Sequence, residues 1–288
     1  MEILQDPLSM QSWSLEQKAR GQILGFVPTM GNLHDGHLSL VEEARRRCAR
    51  VVVSIFVNPL QFSAGEDFDK YPRTFEQDRD KLAPFGVDAI FFPDTQAMYP
   101  AGKEVSTQVY VPSLGDILCG ASRPGHFQGV TTVVAKLFTI VQPDVAVFGE
   151  KDFQQLFLIR RMAEDLFMPV EIVGMPTHRE KSGLAMSSRN GYLSEEQRHV
   201  AEIIFQTLRS ASESIKESDT PIEQILANSL SDIANRGLKP EYFELRSAET
   251  LQTVSARGQE QELVLLAAAK LGNTRLIDNL RLSLKIQA

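Results

Sequence analysis

His34 and His37 stand three residues apart in Pro28-Thr29-Met30-Gly31-Asn32-Leu33-His34-Asp35-Gly36-His37, with Gly31 and Gly36 in the same stretch. Glycine lets the backbone turn tightly and approach a ligand, and the amino end of a following helix offers unpaired N–H groups to an anion. Two imidazoles at this spacing can both donate hydrogen bonds to a phosphoryl group under attack, stabilising charge as it develops. An HxxH pair also fits a surface cap or a metal site, but no third ligand lies nearby and the spacing differs from HExxH. Phosphate binding is the expectation for this stretch.

Two more segments carry suitable groups. In Gly149-Glu150-Lys151-Asp152-Phe153-Gln154-Gln155, Lys151 can neutralise a phosphate, and Asp152 can accept from a ribose hydroxyl or support magnesium. Gln155, one helical turn on, points to the same side as Lys151. In Gly183-Leu184-Ala185-Met186-Ser187-Ser188-Arg189-Asn190, two hydroxyls beside a guanidinium suit a triphosphate tail, and such a loop at a domain junction can close over bound nucleotide. Taken singly, the first is an ordinary helix cap and the second a Ser-rich linker; their company makes them candidates.

These loops need a scaffold, and the first two thirds of the chain alternate strand-like and helix-like patterns. Ile23 to Val27 is a short apolar run, His37 to Arg47 has helical spacing with Arg45, Arg46 and Arg47 at its end, and Val51 to Val57 is β-branched and nearly continuous. The pattern predicts helix over Thr74 to Phe85, Phe127 to Val141 and Phe153 to Leu166. Strands are predicted over Val87 to Phe92, Val145 to Phe148 and Val170 to Val173. Such alternation predicts a doubly wound parallel α/β sheet, Rossmann-like, over residues 1–177. Ligands of such sheets bind at the carboxyl ends of the strands, so the loops after Val27, Val57 and Phe148 should converge on one crevice.

Residues 178–288 have a different texture, that of a smaller α+β domain covering the site. Ser194 and Gln197 form a capping box, and Val200, Ile203, Ile204, Thr207, Leu208 and Ala211 share one helix face. Thr220-Pro221-Ile222-Glu223 starts a second helix with Pro in its first turn. Strands are expected over Tyr242 to Arg246, Glu262 to Ala269 and Thr274 to Ile277.

Composition excludes several classes. The 288 residues are 43% hydrophobic and 23% charged, which suits a folded domain and not a disordered or low-complexity chain. Two distant cysteines, Cys48 and Cys119, make neither a disulfide framework nor a cysteine zinc site and fit a reducing cytoplasm. Neither a signal peptide nor an apolar run of roughly 18 residues is visible, so no membrane partner is expected. Thirty-seven acidic against 30 basic residues leave a net charge of −7, which argues against nucleic acid as a partner.

The three segments together resemble the HxGH nucleotidyltransferases that share HxGH and KMSKS signatures with class I aminoacyl-tRNA synthetases. Within that superfamily PTMGxLHxGH, FVNPxQF, YPRT, RPGHFxGV, FGEKDxQQ and MSSRN all occur here in order, and the chain is similar to the pantoate–β-alanine ligase family from about Gly25 to Asn279. Ala185 replaces the leading Lys of KMSKS and Arg189 stands near the second, which argues against a tRNA synthetase.

The resemblance implies ATP-dependent joining of pantoate to β-alanine through a pantoyl adenylate, with ATP as co-substrate, Mg2+ as cofactor and a homodimeric assembly. It places Met30, Gly31, Asn32, Leu33, His34, Asp35, Gly36 and His37 at ATP, together with Gly149, Glu150, Lys151, Asp152, His178, Met186, Ser187, Ser188 and Arg189. His34, His37, Lys151 and Arg189 are the implied catalytic groups, His37 either as proton donor or only as hydrogen-bond donor. Gln61 and Gln155 are implied at pantoate, Asn58 and Arg123 at β-alanine or phosphate, and Asp78 near the magnesium. His126 and His199 are left as structural. Either the Ser63 to Lys70 segment or the carboxyl-terminal domain would cover the crevice. The rivals are a transferase of a whole nucleotidyl group and a nucleotide sensor without turnover.

Overall fold

In the computed structural model, residues 1–63, 65–257 and 261–284 are described, and the chain divides into two compact units, Met1–His178 and Arg179–Ala288. The first unit begins with a strand, β1 (Glu2–Leu4), and a helix, α1 (Pro7–Ala19), whose first turn is capped by Asp6 accepting from the Ser9 amide at 2.7 Å. Neither was expected from periodicity: α1 buries Met10, Ser14 and Gln17 while Leu8 and Leu15 face solvent, so it has no clean apolar stripe.

Alternation then proceeds through β2 (Leu24–Thr29), α2 (Asp35–Arg47), β3 (Arg50–Ile55), α3 (Phe75–Leu82) and β4 (Ala89–Phe91). Two one-turn helices, α4 (Thr95–Met98) and α5 (Cys119–Ser122), precede α6 (His126–Val141), β5 (Val145–Gly149), α7 (Phe153–Asp165) and β6 (Glu171–Met175). All pairings are parallel in the order β1-β4-β3-β2-β5-β6. The doubly wound sheet expected from alternation is therefore present. Its central strands bury Val27, Val53 and Val147 against Leu40, Val41 and Ala44 of α2, as a sheet covered on both faces requires.

The order reverses between β2 and β5, since β3 and β4 extend to one side and β6 to the other. At such a switch point the loops leave in opposite directions and open a crevice at the strand ends. The loop into α2 and the loop into α7 flank it.

In the second unit α8 (Glu195–Ala201), α9 (Ile203–Glu217) and α10 (Ile222–Asn235) accompany an antiparallel sheet of β7 (Lys239–Ser247), β8 (Gln261–Leu271) and β9 (Thr274–Leu284). Ile204, Leu208 and Ile215 of α9 form its core with Leu265 and Ala267 of β8. The Ser194–Gln197 capping box opens α8, but the helix face expected through Ala211 is split between α8 and α9 at Glu202. Pro221 occupies the cap of α10, not its first turn. The last strand runs seven residues past the expected Ile277, to Leu284.

Candidate active site

The loop between β2 and α2 is built from its backbone outward. Thr29 Oγ1 donates to the Ser54 carbonyl at 2.7 Å and accepts from the Gly31 amide at 3.1 Å, tying the loop to β3. Gly31 and Asn32 both have positive φ, 80° and 50°, which turns two consecutive amides inward. Those of Asn32 and Leu33 donate to the two carboxylate oxygens of Asp78 on α3, at 2.8 and 2.7 Å. Thr74 Oγ1 adds a third hydrogen bond to Asp78 at 3.1 Å, and Lys81 Nζ holds the Leu33 carbonyl at 2.6 Å.

Asp78 therefore does not fit the magnesium role expected of it. The residue has no exposed surface, and both carboxylate oxygens are taken by N–H donors. Its work is to anchor the loop.

His34 caps α2, and its ring lies 4.0 Å from that of His37 at a 32° tilt. The His34 amide approaches His37 Nδ1 at 3.4 Å, a long hydrogen bond that assigns the acceptor to Nδ1 and the proton to Nε2. Gly36 is closely hemmed in: a Cβ there would sit 3.0 Å from the His34 ring and 3.4 Å from His178 Cβ. His178 is thus brought to the mouth of α2. The buried Nδ1 of His34 has no hydrogen-bond partner among the described residues, an arrangement that proteins keep where a ligand or water is to be met.

Burial, and after it the Lys151 charge, lowers the His34 pKa to about 4. Burial, then His34, then Lys151, hold His37 well below the ordinary imidazole range. Both rings are therefore neutral donors near pH 7. Lys151 lies in the 3-10 turn Glu150–Asp152 between β5 and α7, with Asp152 Oδ1 at 4.0 Å from its ammonium. The switch point thus brings two imidazoles and a lysine together.

Gln61 is 9% exposed at the end of the 3-10 turn Pro59–Gln61. Its Nε2 reaches Met30 Sδ at 3.0 Å, and its Oε1 accepts from Asn58 Nδ2 at 3.2 Å. Asn58, expected at a substrate, is instead 1% exposed: Nδ2 also donates to the Gly129 carbonyl at 3.1 Å, while Oδ1 accepts from Tyr99 at 2.7 Å. It orients Gln61 and is sealed from ligand. The turn packs so tightly on α6 that a Cβ at Gly129 would fall 2.3 Å from the Leu60 carbonyl oxygen.

Arg123, also expected at a ligand, forms a two-pronged pair with Glu66, Nε and Nη2 each 2.6 Å from a carboxylate oxygen. Gln155 is half-buried on the first turn of α7, whereas Gln154 beside it is buried and holds the Leu114 and Ile117 carbonyls at 2.9 and 2.8 Å. A cavity of about 690 Å3 with Met30, Gly31 and Phe56 in its wall adjoins these loops.

In the second unit Ser187 caps the 3-10 turn Ser188–Tyr192, accepting from the Arg189 amide at 3.3 Å. Asn190 fixes the Met186 to Arg189 stretch by donating to Glu180 at 3.1 Å and to the Ala185 carbonyl at 3.0 Å. Arg198 closes this network on Glu180 and the Asn190 carbonyl. Only the Asn190 end of that network falls inside a recognised motif.

His126, set aside as structural, is 8% exposed, and burial followed by the neighbouring Arg123 charge lowers its pKa to about 3. The unfolded chain protonates this histidine near pH 6.5 and the folded chain does not, so folding is favoured above that pH and weakened below it. His126 alone should remove about 2 kcal/mol of stability between pH 7 and pH 5. Denaturant unfolding at the two pH values checks this, and equal stability at both would contradict it.

Comparison with known proteins gives a consistent picture. A family model described as pantoate-beta-alanine ligase matches residues 2–281. Pantothenate synthetase of Pseudomonas fluorescens is 53% identical over 271 residues, 94% of each chain, and that of Shewanella woodyi 52% over 279 residues, 97% of each. The crystal structure of pantothenate synthetase from Thermus thermophilus superposes with a TM-score of 0.89 at 43% identity, over 97% of this chain and 99% of that one. Pantoate-beta-alanine ligase from Francisella tularensis, complexed with beta-gamma ATP and beta-alanine, gives 0.81 at 35% identity over 97% of each.

Proposed function

The chain belongs to the pantoate–β-alanine ligase family, and from that premise we propose how its residues carry out the ATP-dependent joining of pantoate to β-alanine. A carboxylate is a poor electrophile, so it must first gain a leaving group. The pantoate carboxylate attacks the α-phosphorus of ATP, pyrophosphate departs, and the amine of β-alanine displaces AMP from the resulting pantoyl adenylate. Catalysis is by positioning and charge stabilisation.

The observation that carries this assignment is the pair of neutral imidazoles at the mouth of α2 beside Lys151. His34 and His37 donate to the phosphates, Lys151 offsets their charge, and Arg189 with Ser187 and Ser188 serves the leaving pyrophosphate. Adenine and ribose lie against His178 and Asp152. Gln61 and Gln155 hold pantoate, since amides bind its oxygens without neutralising the attacking carboxylate.

Magnesium supplies charge neutralisation on the phosphates when bound. Among the described residues there is no cluster of three His, Cys, Asp or Glu able to hold an ion; phosphate oxygens would be its main ligands, with Asp152 as the nearby carboxylate that could support it. Shielding of the adenylate from water falls to the Ser63–Lys70 segment, whose Ala64 lies outside the described residues. A cytoplasmic homodimer is part of the same proposal; among the described residues no helix is long and apolar enough to cross a membrane.

An assay of pyrophosphate release with ATP, pantoate and β-alanine, each omitted in turn, tests the reaction. Isotopic oxygen in the pantoate carboxylate must appear in AMP if the adenylate forms. Gln61→Ala should raise the pantoate KM about tenfold or more, the cost of an unmatched polar contact, and leave the ATP KM nearly unchanged. Equal loss for both substrates would contradict the assignment of Gln61.

A further inference from the structure

His126, a buried histidine of the first unit that the proposed function does not use, belongs to the RPGHFxGV motif. His126 Nδ1 lies 2.7 Å from the Gln61 carbonyl oxygen. A carbonyl can only accept, so Nδ1 carries the proton. Its Nε2 is then a lone pair, and it faces Arg123 Nη1 at 2.8 Å, which can only donate. The two neighbours thus select one neutral tautomer from opposite sides of the ring. Arg123 Nη2 also reaches the Gln61 carbonyl at 3.2 Å while its other edge is held by Glu66.

The geometry points to His126 as a positioning residue for pantoate: its Nδ1–H fixes the backbone of Gln61, and Arg123, held by Glu66, fixes the ring. This rests on Gln61 binding pantoate, as proposed above. The Gln61 side chain has two contacts of its own, one to Asn58 and one to the soft sulfur of Met30. Its carbonyl, at the end of a 3-10 turn pressed against Gly129, is a further handle on where the amide points, beside the long 3.4 Å hydrogen bond from the Gln61 amide to the Asn58 carbonyl. A small tilt there would carry the amide away from a bound carboxylate or hydroxyl, and such displacements are costly to reaction rate and binding.

Three variants separate positioning from bulk packing. His126→Asn places an amide N–H close to where Nδ1–H stood, His126→Gln places its polar end nearer Nε2, and His126→Ala removes both. Pantoate and ATP KM values, kcat and thermal midpoint are measured for each beside the wild type. His126→Ala should raise the pantoate KM about tenfold with the ATP KM within about twofold, and His126→Asn should recover most of the loss while His126→Gln does not. Nitrogen-15 spectra of the wild type should show Nδ1 as the protonated nitrogen at neutral pH.

Equal shifts in both KM values, recovery by His126→Gln as good as by His126→Asn, or a proton on Nε2 would each overturn the positioning role. If His126→Ala does not fold, the Asn and Gln variants still decide it. A wild type that releases no pyrophosphate with pantoate would instead overturn the proposed function and this role with it.

Discussion

His37→Ala should fold normally and slow pyrophosphate release on the order of 10²–10³-fold, equivalent to about 3 to 4 kcal/mol, with a much smaller change in the pantoate KM. The magnitude is that of a donor aimed at charge that grows in the transition state. His37 has the required placement, on the first turn of α2 with its ring against that of His34 and its Nδ1 facing the His34 amide. That contact leaves Nε2–H as the donor. Because burial and neighbouring positive charge hold both rings neutral, the free enzyme offers hydrogen bonds near pH 7 and not a stored proton. A triphosphate reverses part of this, since nearby negative charge favours the imidazolium. Calorimetry of ATP binding in buffers of different ionisation enthalpy should therefore show proton uptake that grows as pH falls towards 6. An unchanged turnover in His37→Ala would remove this residue from the chemistry.

The scaffold around those rings was legible for a simple reason. Strands such as Val51 to Ile55 are buried on both faces and read as continuous β-branched runs, and α2 shows a helical period in Leu38, Val41 and Ala44 ahead of its arginines, although Leu40 is more deeply buried than Leu38. Periodicity cannot encode the rest. The expected strand ends at Ile277, yet it continues through Asp278 and Asn279, both 5% exposed, and Arg179 grips the Asp278 carboxylate with contacts of 2.6 and 2.9 Å. A charge that looks like a strand end is compensated by a partner ninety-nine residues away.

The same limit applies at the site. HxGH and EKDxQQ name the residues that the proposed function sets at ligand, and motif spacing finds them because the chemistry constrains side-chain types along a short stretch. Asn58, Arg123 and Asp78 carry polar groups of the same kinds, and spacing alone cannot distinguish a polar atom facing a substrate from one facing a backbone amide. Asn58 turned out to be filled by Tyr99, Gln61 and Gly129, and Arg123 by Glu66. Their value lies one layer behind the reacting groups, where Asn58 and Asp78 are buried and the half-buried Arg123 is held by Glu66.

Asp78 gives that distinction its strongest test. Replacing it by alanine should cost about 3 to 5 kcal/mol of stability, because the amides of Asn32 and Leu33 would be left without acceptors where Asp78 now has no exposed surface, and each unmatched donor costs about 1 to 3 kcal/mol. Asparagine keeps the volume but turns an NH2 towards one of the two amides, so Asp78→Asn should lose one hydrogen bond and set donor against donor. The effect must reach the ATP site. Asn32 sits at a φ of 50° that few side chains tolerate, and once its amide is released the loop has reason to relax. The rings of His34 and His37 follow directly in sequence, so the ATP KM should rise with the loss of stability, in Asp78→Asn less than in Asp78→Ala. A magnesium ligand behaves differently: its removal from a site of like charges leaves stability unchanged or improved and shifts the magnesium concentration needed for half-maximal rate. Denaturant unfolding together with a magnesium titration of Asp78→Asn decides between the two. Stability preserved with a displaced magnesium requirement would restore the metal role; stability lost with an unchanged requirement assigns Asp78 to holding the phosphate loop in its turned shape.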